Sequence, residues 1–114
     1  MAGCNLGGAN LAGSNLGGAN LAAGNYANAD LRSAILVEVD LSGSALMEAK
    51  LDNAWLQGAN LKGANLKGAS LKEADLSGAD LRKVQNLTQQ QLDGACGNGT
   101  VLPDGRNISS CPKR

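Results

Sequence analysis

Three thiols, Cys4, Cys96 and Cys111, are the first groups in this chain to ask for chemistry. Cys96 and Cys111 stand 15 residues apart and can close a disulfide worth about 3 kcal/mol in the chain-entropy view. Such a bond favours an oxidising compartment. Cys4 reads as an inert, small core residue. No metal ligand set is expected, because His is absent and the Cys spacing matches no zinc pattern. Without His a Ser or Cys nucleophile lacks its usual base, and no Lys or carboxylate pair is set apart as reactive. The glycine-rich run from Gly7 to Gly13 has no Gly-Lys-Ser or Gly-Lys-Thr ending and opens no helix, so it is no phosphate loop. Three Asn-x-Ser/Thr triplets, at Asn86, Asn98 and Asn107, read as incidental. The expectation is a chain that is not an enzyme and takes no cofactor.

What must position these residues is a five-residue unit repeated from Cys4 to about Leu81. Its centre is Leu at every fifth position from Leu6 to Leu81, with Tyr26 as the one exception. Two places before each centre stands a small residue, usually Ala, and the residue just before it is mostly Asn or Asp. On a helix, Leu at every fifth position would drift about 140° each time and spread around the whole surface. A long simple strand, with its period of two, fits no better. If each unit makes one short extended side and a turn, four units close a square coil of about twenty residues. Successive coils then stack about 4.8 Å apart.

The units Ala59-Asn60-Leu61-Lys62-Gly63, Ala64 to Gly68 and Ala74-Asp75-Leu76-Ser77-Gly78 resemble those of the pentapeptide repeat proteins. The resemblance implies an all-β solenoid, a right-handed quadrilateral β-helix of about four coils, with the central Leu and the small residue pointing inward. Residues 1–84 would form the β-helix and residues 85–114 a C-terminal cap within the same domain. Each buried Leu contributes about 1.5–3 kcal/mol before entropy is charged against it. Gly two places after half of the centres, with Asn28 and Asn53, marks the corners, since these types accept the positive φ of a type II turn. Asn and Asp before the centre can bond nearby backbone groups.

After Leu81 the register breaks: Asn86 stands where Leu is due and Leu87 comes one place late. Thr88 followed by Gln91 predicts a capping box and a short helix from about Gln89 to Ala95. Val101 to Gly105 reads as an extended piece and a turn. This tail resembles the helical cap of bacterial, cyanobacterial and plastid family members. No comparable cap precedes the first coil, and Met1 itself falls on a centre position. The N-terminal coil is therefore expected to pair with another copy, or to have lost something that covered it.

Ten basic and ten acidic residues balance to zero, so no global field steers nucleic acid, and no apolar run is long enough to span a membrane. Nothing at the N-terminus reads as a signal peptide, which makes the cytoplasm the default. The periplasm or thylakoid lumen would follow if the N-terminus were trimmed. Folding the chain with period twenty places Asn15, Ile35, Trp55 and Asp75 on one wall, with Val37 beside them. Ile35, Val37 and Trp55 form an apolar patch where polar residues are due, a candidate surface for a protein partner. The alternative is that Ile35 and Trp55 stack only to stiffen the sheet. Lys62, Lys67, Lys72 and Arg82 form a loose collar that reads as solubilising surface, with no aromatic residues interleaved for nucleic-acid stacking. The resemblance also implies an alternative function, mimicry of DNA to protect type II topoisomerases from quinolones. That mechanism needs an acidic stripe, and Asp30, Asp40, Asp75 and Asp80 are scattered and offset by bases.

Overall fold

The computed structural model describes residues 2–103 and 105–112. The register expectation at Met1 and the Asp104 part of the expected turn lie outside the described residues.

The five-residue unit becomes one bridge and one turn. From Asn5 to Asn65 each residue just before a centre pairs in parallel with its counterpart twenty residues on, and the pairs line up as four ladders. One ladder runs Asn5, Asn25, Ala45, Asn65, Gln85, and the next runs Asn10, Asp30, Lys50, Ser70. The third is Asn15, Ile35, Trp55, Asp75, Cys96, Ser109, and the fourth Asn20, Asp40, Asn60, Asp80, Val101. The bonds are backbone bonds of ordinary sheet length: the Trp55 amide donates to the Ala34 carbonyl at 2.9 Å, and the Leu36 amide to the Trp55 carbonyl at 2.7 Å.

Between bridges the chain turns. The Ala54 amide donates to the Leu51 carbonyl at 3.0 Å, closing a four-residue turn whose third residue, Asn53, has φ 60°. The same left-handed backbone recurs at the expected Gly and Asn positions. It also occurs at Ala23, Ser33, Glu38, Glu48, Glu73 and Lys83, which sequence pattern did not mark. A side chain in this conformation costs about 1–2 kcal/mol. The ladders on either side fix the corner, so the backbone keeps its shape and the residue accommodates it. Asn and Asp brace the turn from before the centre, as at Asn60, whose Oδ1 accepts from the Lys62 amide at 3.0 Å. Ile35 and Trp55 have no such acceptor to offer.

The centres fill the interior. Leu31, Leu36, Leu41, Leu46, Leu51, Leu56, Leu61, Leu66, Leu76 and Leu81 are fully buried, with Ala packed beside them, while Leu6, Leu11 and Leu16 are only partly buried.

The late arrival of Leu87 carries into the pairing: Asp75 bridges Cys96 and Asp80 bridges Val101, each one residue later than the repeat would put it. Helix α1, Gln89–Asp93, starts on the expected capping box. It stops at Gly94, short of Ala95, because Gly94 turns its amide to the Leu92 carbonyl. Leu92 is fully buried beneath it. Gln91 does double duty: beyond the capping box, its Nε2 donates to the Leu66 and Ala69 carbonyls at 2.8 and 2.9 Å. The Ala69 carbonyl would otherwise lack a ladder partner, whereas the Leu66 carbonyl also accepts the turn bond from the Ala69 amide at 3.0 Å. Among the described residues no helix is long and apolar enough to cross a membrane.

Candidate functional site

The third ladder carries the exceptions to the repeat. Residues before the centre project outward, so replacing Asn or Asp by a hydrocarbon puts apolar surface on the wall. Ile35 and Trp55 are direct bridge partners. Trp55 is 44% exposed, which for so large a side chain leaves much of the indole in water. Ile35 and Val37 are half-buried beside it. The structure thus brings Ile35 and Trp55 together on one ladder, with Val37 in the turn that follows Ile35. At the corner beside them the Glu38 carboxylate folds over Gly58, where any Cβ would collide with it.

Below Trp55 the wall becomes polar. Asp75 Oδ2 accepts from Gln57 Nε2 at 3.0 Å, and Asp75 Oδ1 accepts from the Ser77 amide at 3.0 Å. Cys96 and Cys111 are joined in a disulfide that ties the tail to this wall, and Cys111 Sγ lies 3.2 Å from Asp75 Oδ1. Ser77 Oγ is 3.5 Å from the same sulfur. Asp75 with Cys96 and Cys111 is also the one potential metal-ligand cluster among the described residues. Sequence reasoning found the Cys pair and put Asp75 on this wall, but did not bring the two together. The signal lay in the period of twenty, but only with the one-residue slip included does it put Asp75 next to Cys96. Cys4 is a free thiol, half-buried at its inward position.

Two ion pairs dominate the electrostatics. Arg32 and Arg82 reach back to Asp30 and Asp80 at 2.7 Å, each across a turn. The guanidinium hydrogen bond, aided by the Arg backbone amide, holds each carboxyl down at about 2. The Ser42 hydroxyl and amide lower Asp40 in the same sense. Lys62, Lys67 and Lys72 are exposed. Burial raises the Tyr26 phenol.

The space available for a ligand is small inside and shallow outside. An interior cavity of about 20 Å³ is lined by Leu side chains and Tyr26 alone. A larger groove of about 380 Å³ runs between α1 and the last repeats, lined by Ser70, Lys72, Thr88 and Gln91 among others.

With this geometry in view, comparison with known proteins is informative. The family model for pentapeptide repeats matches residues 1–25, 27–63, 49–85 and 59–96. Among solved structures, alr5209, a pentapeptide repeat protein from Nostoc Pcc 7120, is 33% identical over 86% of this chain and 79% of its own, with a TM-score of 0.51. A trypsin-treated variant of QnrB1, a plasmid-mediated fluoroquinolone resistance protein, is 20% identical over 88% of this chain and 54% of its own, with a TM-score of 0.61. That likeness is one of fold. HetL, a pentapeptide repeat protein involved in heterocyst differentiation regulation from Nostoc sp. strain PCC 7120, is 29% identical over 91% of this chain and 60% of its own, at a TM-score of 0.47. Comparison with curated proteins gives no match. The family match implies a right-handed quadrilateral β-helix.

Proposed function

Because the chain belongs to the pentapeptide repeat family, we propose that it is a non-enzymatic scaffold that binds another protein through the wall bearing Ile35, Val37 and Trp55. In this reading about four coils, residues 1–84, form a rigid rod, and residues 85–114 cap its end. The observation that carries the proposal is Trp55, 44% exposed beside its bridge partner Ile35, at positions where most units of the repeat carry Asn or Asp. Exposed Trp flanked by half-buried aliphatic groups is the composition of binding hot spots. The interior supports a surface role, since buried Leu and Ala pack it and the cavity of about 20 Å³ lined by Leu and Tyr26 is small.

Trp55→Asn tests this directly, because Asn at 55 restores the turn-bracing acceptor that the repeat normally carries. Affinity capture from the native organism, with wild type and W55N as baits, should recover a partner with the first and lose it with the second. Sedimentation of the purified chain asks whether the partner is a second copy. Identical captured proteins and identical sedimentation for both baits would sink the proposal.

The likeness to QnrB1 favours a second reading, a DNA-like protector of type II topoisomerase. Asp30 and Asp80 are each engaged by an Arg, and the net charge is zero, which leaves little acidic surface to imitate a phosphate backbone. A gyrase supercoiling assay with a quinolone should show no protection; protection would make this the better reading.

A further inference from the structure

We propose that Asp75, Cys96 and Cys111 form a redox-gated site for a thiophilic divalent cation of the zinc or cadmium class, closed by the disulfide and opened by a dithiol reductant. The carboxylate oxygen and the two sulfurs lie within 4.8 Å of one another. One cation with metal–sulfur bonds of about 2.3 Å and a metal–oxygen bond of about 2.1 Å spans separations of that order. Two thiolates and a carboxylate are a donor set that zinc accepts, with water completing the fourth position.

The contact between Asp75 and Cys111 is what points to this chemistry. Cys111 Sγ stands 3.2 Å from Asp75 Oδ1, yet in the disulfide the sulfur carries no proton to share with the carboxylate. The approach gains nothing from a hydrogen bond in the oxidised form. In the reduced form it holds a thiol proton, or a cation replaces that proton between the same two atoms. Asp75 is also oriented as a ligand should be, with Gln57 Nε2 holding one carboxylate oxygen and the Ser77 amide the other. Cys96 is pinned in the ladder: its amide donates to the Ala74 carbonyl at 3.0 Å and its carbonyl accepts from Leu76 at 2.7 Å. Cys111, on the tail beyond Ser109, is the ligand that swings to admit the ion.

The chemistry balances. A dithiol transfers two electrons and two protons to the disulfide; the bond between Cys96 and Cys111 breaks, two thiols form, and the donor closes its own disulfide. The cation then displaces both thiol protons to solvent and forms two metal–sulfur bonds, with Asp75 as third ligand. The metal thereby ties the tail to the wall in place of the covalent bond.

A plainer role for Asp75 is to brace its own turn, as other Asp and Asn residues of the repeat do, and Asp75→Asn separates the two. The Asn amide oxygen still accepts from Ser77, but the charged ligand is gone. The full chain is studied in a Cys4→Ala background, which removes the remaining free thiol. It is reduced anaerobically with a phosphine, which does not chelate as a dithiol would, and titrated with Co²⁺. Thiolate-to-cobalt absorption should saturate at about one ion per chain and vanish on adding Zn²⁺. The oxidised protein should show none. D75N should bind about tenfold more weakly or worse, and Cys96→Ser should lose the signal. Gln57→Leu, which loosens Asp75 without removing a ligand, should also weaken binding several-fold. Absence of the band in the reduced protein overturns the proposal, as does cobalt binding by the oxidised form. Equal affinity in wild type, D75N and Q57L also overturns it, since that is chelation by a loose dithiol.

Discussion

The hydroxyl end of Tyr26 occupies the space where a Cβ on Gly24 would have to go. Tyr26 is the one aromatic residue among the Leu centres, and its hydroxyl donates to the Leu21 carbonyl at 3.0 Å. Ser44 Oγ donates to the same carbonyl at 3.0 Å, so a buried polar node sits inside an otherwise apolar stack. Gly24 does not have the left-handed backbone of the corner glycines; it is Gly because the ring needs room.

Gly24→Ala should therefore destabilise the wild type by about 1–3 kcal/mol, as overpacking does. In a Tyr26→Leu background, which restores the usual centre, the same change should be neutral or mildly stabilising, because Ala restricts the unfolded chain more than Gly. Urea unfolding of the four proteins measures the coupling. Additive effects would mean that the two residues do not share this space.

The corners make a second prediction. Ser33 is exposed, with φ 60°. Ser33→Gly relieves about 1–2 kcal/mol of backbone strain and adds back about 0.5–1 of unfolded-chain entropy. A net gain of about 0.5–1 kcal/mol is expected. Gly63→Ala, at φ 74° with the Gly43 amide nitrogen in ordinary contact at 3.9 Å, should lose about 1 kcal/mol by the same reasoning reversed. Thermal melts that show both changes moving in one direction would contradict the assignment of strain.

Acid should act through the two Arg-paired carboxylates. Asp30 and Asp80 are held at about 2 in the folded protein, below an ordinary value of 3.8. Because the folded value is depressed, the contribution is fully present above about pH 4 and is lost as pH falls towards 2. Both pairs are solvent-accessible, so the effect is modest and screened by salt. The melting temperature should decline between about pH 4 and 2, with a shallower slope in Arg32→Gln/Arg82→Gln and in high salt. An identical slope in that variant would remove these pairs from the account.

Much of this architecture was legible in the residues. A Leu every five places excludes a helix, and a period of twenty aligns Ile35 with Trp55 without any coordinates. The capping box at Thr88 and Gln91 is a local signal and needs no tertiary context. The rest depended on contacts between layers. Glu38 and Lys83 adopt left-handed backbone because ladders above and below hold the corner, a constraint that residue type does not advertise. Asp75 meets Cys111 only after the chain slips one residue at Leu87 and returns through Ser109. The place of Gly24 among small residues looked unremarkable until the Tyr26 ring lay over it.

The bridge between Ile35 and Trp55 allows binding and stiffening to be told apart in the free protein. A stacked cross-strand pair is worth about 0.2–1 kcal/mol, and a double-mutant cycle through Ile35→Asn and Trp55→Asn reads that coupling. Each Asn also returns an acceptor to its turn, as Asn60 does for the Lys62 amide. That new bond, worth about 0.5–1.5 kcal/mol, offsets the lost contact. W55N should therefore change stability by less than about 1 kcal/mol while abolishing partner capture. The opposite pattern, a coupling near the top of that range with capture intact, would assign Trp55 to the sheet and leave the wall without a partner.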